Sequence, residues 1–143
     1  MTGFETIGAI TNNIEEALRG LGFKFTRKAI EGEESIPAGL LPLARIYYLG
    51  ERFEDGFGER PLYVDAGFLV RVSFASKEIT QLVMEQQRAA HQIREALTID
   101  ALNSGALSET KNVSRVAIEE CAVRNRGGIP ELEMKVAVRY REA

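Results

Sequence analysis

Few side chains in this sequence could make or break bonds. His91 is its one imidazole and Cys121 its one thiol. A general base needs a nucleophile or an orienting carboxylate beside it, and no Ser, Cys or Asp motif supplies one near His91. The residue falls one position past a helical apolar stripe and reads as a surface or boundary histidine. A catalytic reading would need Arg88 and Glu95 to converge with it on a polar cleft. Cys121 lies in a strand-like stretch and reads as a small buried apolar group. One Cys and one His are too few for a zinc site, and a single thiol excludes an internal disulfide. Asp55-Gly56-Phe57-Gly58 lacks the spacing of a dinucleotide fingerprint or phosphate loop and reads as a hairpin turn. Glu51, Glu54, Asp55 and Glu59 do not alternate as calcium-loop ligands do. Arg124, Arg126, Gly127 and Gly128 make one basic turn, which reads as solvated rather than RNA-binding. The expectation is therefore no catalytic, cofactor-binding or metal residues, and no enzyme.

The elements that would carry these residues follow from periodicity. Phe4, Ile7, Ile10, Ile14, Leu18 and Leu21 recur every three or four positions and predict a first helix, with Thr2 and Glu5 as a capping box and Gly20 and Gly22 around its stop. Phe23 to Arg27 can start a minor strand; 30–42 is punctuated by Gly and Pro and reads as loop. Leu43 to Leu49 predicts a strand. Val64, Ala66, Phe68, Val70, Val72 and Phe74 alternate strictly, placing one face of a long strand on a core. That strand either bends at Gly67 or projects beyond the body. Ser76 is the expected cap of a second helix, from Lys77 to about Thr98, whose buried face would hold Ile79, Leu82, Val83, Gln86, Ala90, Ile93 and Leu97. Val113 to Asn125 and Leu132 to Tyr140 predict two strands joined by a turn at 126–130, with a bulge or edge position at Glu119-Glu120. The order α-β-β-α-β-β with hairpin-length links predicts an α+β, two-layer sandwich: a mostly antiparallel sheet with two helices on one face. At 143 residues, with 45% apolar and 27% charged residues, one domain spanning 1–143 is expected.

The connection 50–61 stands out, with Phe53 and Phe57 set among Glu51, Arg52, Glu54, Asp55, Glu59 and Arg60. It reads either as a loop tucked onto its own body or as a projecting hairpin arm whose aromatics pack on a neighbouring chain. On the second reading Arg52, Phe53, Phe57 and Arg60 form a subunit or partner interface. Charge is segregated too. Residues 1–60 carry seven Lys or Arg against ten Asp or Glu, and residues 111–143 carry seven against five. Opposite signs favour head-to-tail contact between copies, although a solvated sheet face also accounts for them. The net charge of −3 argues against nucleic acid as the main partner. No apolar run approaches the ~20 residues of a membrane span. Met1–Glu5 lacks a basic flank and an apolar signal core, which predicts a cytosolic protein.

The amphipathic helix with Ile14-Glu15-Glu16-Ala17-Leu18, the loop with Ile36-Pro37 and the charged hairpin lead to the long strand Phe68-Leu69-Val70-Arg71-Val72. After it come the helix ending Ile93-Arg94-Glu95-Ala96-Leu97 and the hairpin ending Val136-Ala137-Val138-Arg139-Tyr140. In this order the chain resembles the tail terminator, or tail completion, proteins of long-tailed bacteriophages and prophages. The resemblance implies a small structural α+β subunit and a homohexameric ring. That ring would cap the tail tube protein, stop tube growth and offer a joining surface to the head–tail connector. It implies a place in the virion after assembly in the bacterial host cytoplasm, and DNA passing through the lumen without specific binding. It brings no shared active-site motif and no cofactor. The alternatives are another head–tail joining, baseplate or minor tail component, or a ligand-binding or enzymatic α+β domain with a pocket between helices and sheet.

Overall fold

A computed structural model describes residues 2–30, 36, 38–53 and 63–142. Helix α1 (Gly3–Arg19) begins as its cap predicts: the Glu5 N–H donates to Thr2 Oγ1 at 3.1 Å. Its inner face is Thr6, Ile10, Asn13, Ile14 and Leu18. Phe4, expected on that face, is 86% exposed, because its position in the first turn lies to one side of the buried line. The stop also differs in detail. Gly20 is right-handed, and the left-handed residue is Gly22, at φ +88°.

The described strands are β1 (Phe25–Ala29), β2 (Leu43–Phe53), β3 (Tyr63–Ser73), β4 (Val113–Arg126) and β5 (Ile129–Arg141). They form one sheet in the order β1-β2-β3-β5-β4. Only β1 and β2 run parallel; the other neighbours are antiparallel. Helix α2 (Ile79–Ala96) follows β3, and the short α3 (Ile99–Leu102) follows α2. The architecture is the expected α+β, with the minor strand after the first helix realised as β1.

Both long helices pack on the same sheet face. Ile10, Ile14 and Leu18 of α1 and Ala89 and Ile93 of α2 share a core with one parity of every central strand: Ala44 and Ile46, Val64 to Val72, and Leu132 to Tyr140. The alternating set from Val64 to Phe74 is buried throughout. Each such side chain contributes roughly 1.5–3 kcal/mol by leaving water.

Two expectations about irregularity change. β3 does not bend at Gly67; it pairs with β5 without a break from Tyr63↔Arg141 to Ser73↔Glu131. The irregularity lies in the strand opposite, where β2 shifts register between Tyr48 and Gly50, and Gly50 sits at φ +106°. β2 therefore continues to Phe53 instead of ending at Leu49. Helix α2 is capped by Glu78, not Ser76. The Phe74 N–H still donates to Pro130 O at 2.9 Å, so the chain leaves the sheet too late for Ser76 to start a helix. The other two punctuation marks hold. β4 shifts register between Ile118 and Glu120, and Gly127 and Gly128, at φ +58° and +84°, make the tight β4–β5 turn.

Candidate interaction surfaces

The first residues of the 50–61 connection are ladder, not loop: Arg52 pairs with Asp65 and Phe53 with Val64. Phe57 and Arg60, the other two expected interface residues, lie outside the described residues. Because neighbours on a strand point to opposite faces, Arg52 and Phe53 cannot serve one flat contact. Arg52 faces away from the helices, into a shallow dip shared with Asp65, Arg115 and Arg139. Phe53 shares the helix-side parity of Val64 and is 57% exposed.

Further back along β2 the helix-side surface is aromatic. The Tyr48 ring tilts against Phe68 with centroids 5.9 Å apart, yet Tyr48 is 52% exposed. Tyr140 O–H donates to Glu51 Oε1 at 2.9 Å. Burial first, and then the Glu51 carboxylate, push both the Tyr140 and the Tyr48 phenols above their ordinary range.

Spacing places Ile79 and Val83 on the core face, yet they are 77% and 43% exposed, and Met84 beside them is 53% exposed. The helix packs through Ala89, Ala90, Ile93 and the following Leu97, and among the apolar residues of its first two turns only Leu82 reaches that core, so Ile79 and Val83 carry the stripe onto open surface. Glu85, just after these turns, lines a cleft with Pro42 and Phe74, where β2 begins and β3 ends. Phe53 lies where β2 ends. The two apolar surfaces thus sit at opposite ends of the strands.

The sheet face away from the helices holds a buried ionic cluster. Arg45 Nη2 donates to Ser73 Oγ at 3.1 Å and to Glu131 Oε2 at 3.0 Å. Arg71 Nε meets Glu133 Oε1 at 3.1 Å. The Arg71 guanidinium also stacks over the Tyr47 ring, 4.8 Å from its centroid. From β4, Arg126 Nε lies 3.1 Å from Glu131 Oε1 and Arg124 Nε lies 3.6 Å from Glu133 Oε2. Alternation alone reads Arg71, Ser73, Glu131 and Glu133 as a solvated face. The clue in the sequence is that acids on β5 stand at the same parity as arginines on β3 and β4.

His91 Nε2 lies 3.0 Å from Glu95 Oε1, both well exposed, in a surface dip with Arg94, Val116 and Ile118. Arg88 lines the separate cleft of about 310 Å³ beside Pro42 and Phe74. The three residues that a catalytic reading would bring together are therefore divided between two depressions. Cys121, expected to be buried, is exposed because β4 is an edge strand of the sheet, and partial burial pushes its thiol up, against the opposing field of Arg94. Among the described residues no three His, Cys, Asp or Glu side chains gather as a metal site, and no helix is long and apolar enough to cross a membrane. No protein-family model matches the chain, and no curated protein sequence matches it at a significant level.

Proposed function

We propose that this protein is a structural assembly subunit of the tail-terminator kind: copies form a ring that closes a tail tube and meets the next component on its other side. The observation that carries this reading is the pair of separate exposed apolar surfaces, Phe53 at the end of β2 with Tyr48 midway along that strand, and Ile79, Val83 and Met84 on the first turns of α2 toward the opposite strand end. Exposed apolar groups gathered at two separate places favour two separate contacts. A ring seated between a tube and a connector needs contacts of that kind. The reading places function in shape and assigns no bond-making step to His91 or Cys121. Its test is tube length in a host producing the particle. Removing this chain is expected to give tubes of uncontrolled length without heads attached, and tubes of unchanged, uniform length would overturn the reading.

A further inference from the structure

The sheet ends in two strands with no partner on their outer side among the described residues, β1 and β4. The edge of β4 is 14 residues long and mostly exposed. Unpaired edges of that length invite another strand. Following the sheet across, β2 runs against β3, β3 against β5 and β5 against β4, while β1 runs with β2. β4 therefore runs opposite to β1. If a second copy continued the sheet with its helices on the same side, its β1 would meet β4 antiparallel.

Two independent constraints select the register. The first is facing. Thr26 and Lys28 stand opposite Ala44 and Ile46, on the helix side, so Lys24 shares their side while Arg27 takes the other. On β4, Cys121 and Val123 oppose Met134 and Leu132 on the helix side, while Glu120 and Ala122 oppose Lys135 and Glu133 on the other. The second is charge. β1 and its approach are basic, with Lys24, Arg27 and Lys28, whereas the middle of β4 carries Glu119 and Glu120. Setting Arg27 opposite Glu120 satisfies both constraints. It then sets Thr26 opposite Cys121, Phe25 opposite Ala122 and Lys24 opposite Val123, and leaves Lys28 near Glu119 at the bulge. Moving two residues toward the hairpin removes the acid opposite Arg27, and moving four sets Arg27 against Arg124. The regular stretch of β4 after its register shift begins at Glu120, so the match uses undistorted strand.

We propose that β1 of one copy adds to the β4 edge of the next, with Lys24–Arg27 antiparallel to Glu120–Val123, so that the sheet continues head-to-tail from subunit to subunit. This rests on the self-assembly reading above and specifies its contact. Such a contact is heterologous, so it closes into a ring when the rotation per subunit permits.

The test is cross-linking in a Cys121→Ser background carrying Lys24→Cys and Val123→Cys. Within one chain these positions lie on opposite sheet edges, about 19 Å apart at four strand spacings, beyond the ~7 Å Cα separation that a disulfide spans. Mild oxidation is expected to produce a ladder of two, three and more linked chains, while either cysteine alone forms no species beyond a dimer. Chains that assemble by light scattering but yield no ladder would overturn the edge pairing and leave self-assembly standing. Chains that neither assemble nor link would overturn both. A charge exchange checks the register separately: Arg27→Glu is expected to weaken association tenfold or more, and adding Glu120→Arg to restore it to within a few-fold. A double variant no better than Arg27→Glu would contradict this register.

Discussion

Arg45 on β2 reaches Glu131 on β5 across the whole width of β3, at 3.0 Å, and both side chains are almost fully buried. Ser73, on the strand between them, accepts from Arg45 and donates to the same Glu131 oxygen, so three strands share one polar knot. Charges taken out of water are costly unless each keeps a partner, and removing one member strands the rest. The knot therefore ties β2 and β5 together although the two never pair.

Arg45→Met should lower unfolding stability by about 3 kcal/mol, because Glu131 loses its one buried cation and keeps only the half-exposed Arg126. The double change Arg45→Met with Glu131→Leu should recover most of that loss. Calorimetric melting of the three proteins checks it. A neutral single variant would mean that the pair is solvated.

Phe53→Ser should leave the folded chain within about 0.5 kcal/mol of its starting stability, since Phe53 is largely exposed, and combining it with Phe57→Ser tests the contact expected of the 50–61 segment. Sedimentation velocity is expected to show weaker self-association. Unchanged sedimentation would remove the 50–61 segment from the contacts.

Glu78 accepts the Thr80 and Gln81 amides, at 2.9 and 3.2 Å, and these two bonds hold its carboxyl below the ordinary value of 4.5. A depressed carboxylate contributes stability that is present above its unfolded value and is lost as pH falls through its folded value. Acidification below 4.5 should therefore loosen the first turn of α2. The Thr80 and Gln81 amide resonances should move together in an NMR titration with a midpoint below 4.5, and Glu78→Gln should abolish that movement.

Two glycine substitutions should have opposite signs. A Cβ on Gly50 meets nothing within 4 Å, but φ +106° disfavours any other residue, so Gly50→Ala should destabilise by about 1–2 kcal/mol. Gly8 is exposed within α1, and a Cβ there also meets nothing within 4 Å. Gly8→Ala should stabilise by about 0.5–1 kcal/mol. Urea unfolding of both variants checks the pair.

The helix-side half of this fold was legible in the sequence, because period-two and helical spacings report which side chains share a face. Val64 to Phe74, the Thr2 cap, the Gly127-Gly128 turn and the irregularity at Glu119-Glu120 all follow from local chemistry. What such spacing cannot report is what a face meets. Arg71, Ser73, Glu131 and Glu133 look solvated along the chain and are buried only because four strands converge. Ile79 and Val83 look like core but stand outside it, because among the apolar residues in the first turns of α2 only Leu82 packs against the core. Gly67 drew attention as a bend, whereas the bulge lay in β2, whose register depends on a partner distant in sequence. Of the expected interface, Arg52 and Phe53 share a strand but not a face, a consequence of β2 extending further than its apolar run.

Self-association is the point on which the functional reading turns, and absolute mass by light scattering, measured from micromolar to near-millimolar chain, tests it most directly. The account predicts a mass that climbs with concentration to a closed multiple of the 15.9 kDa chain, six being the expected number. A mass fixed at one chain across the whole range would contradict it.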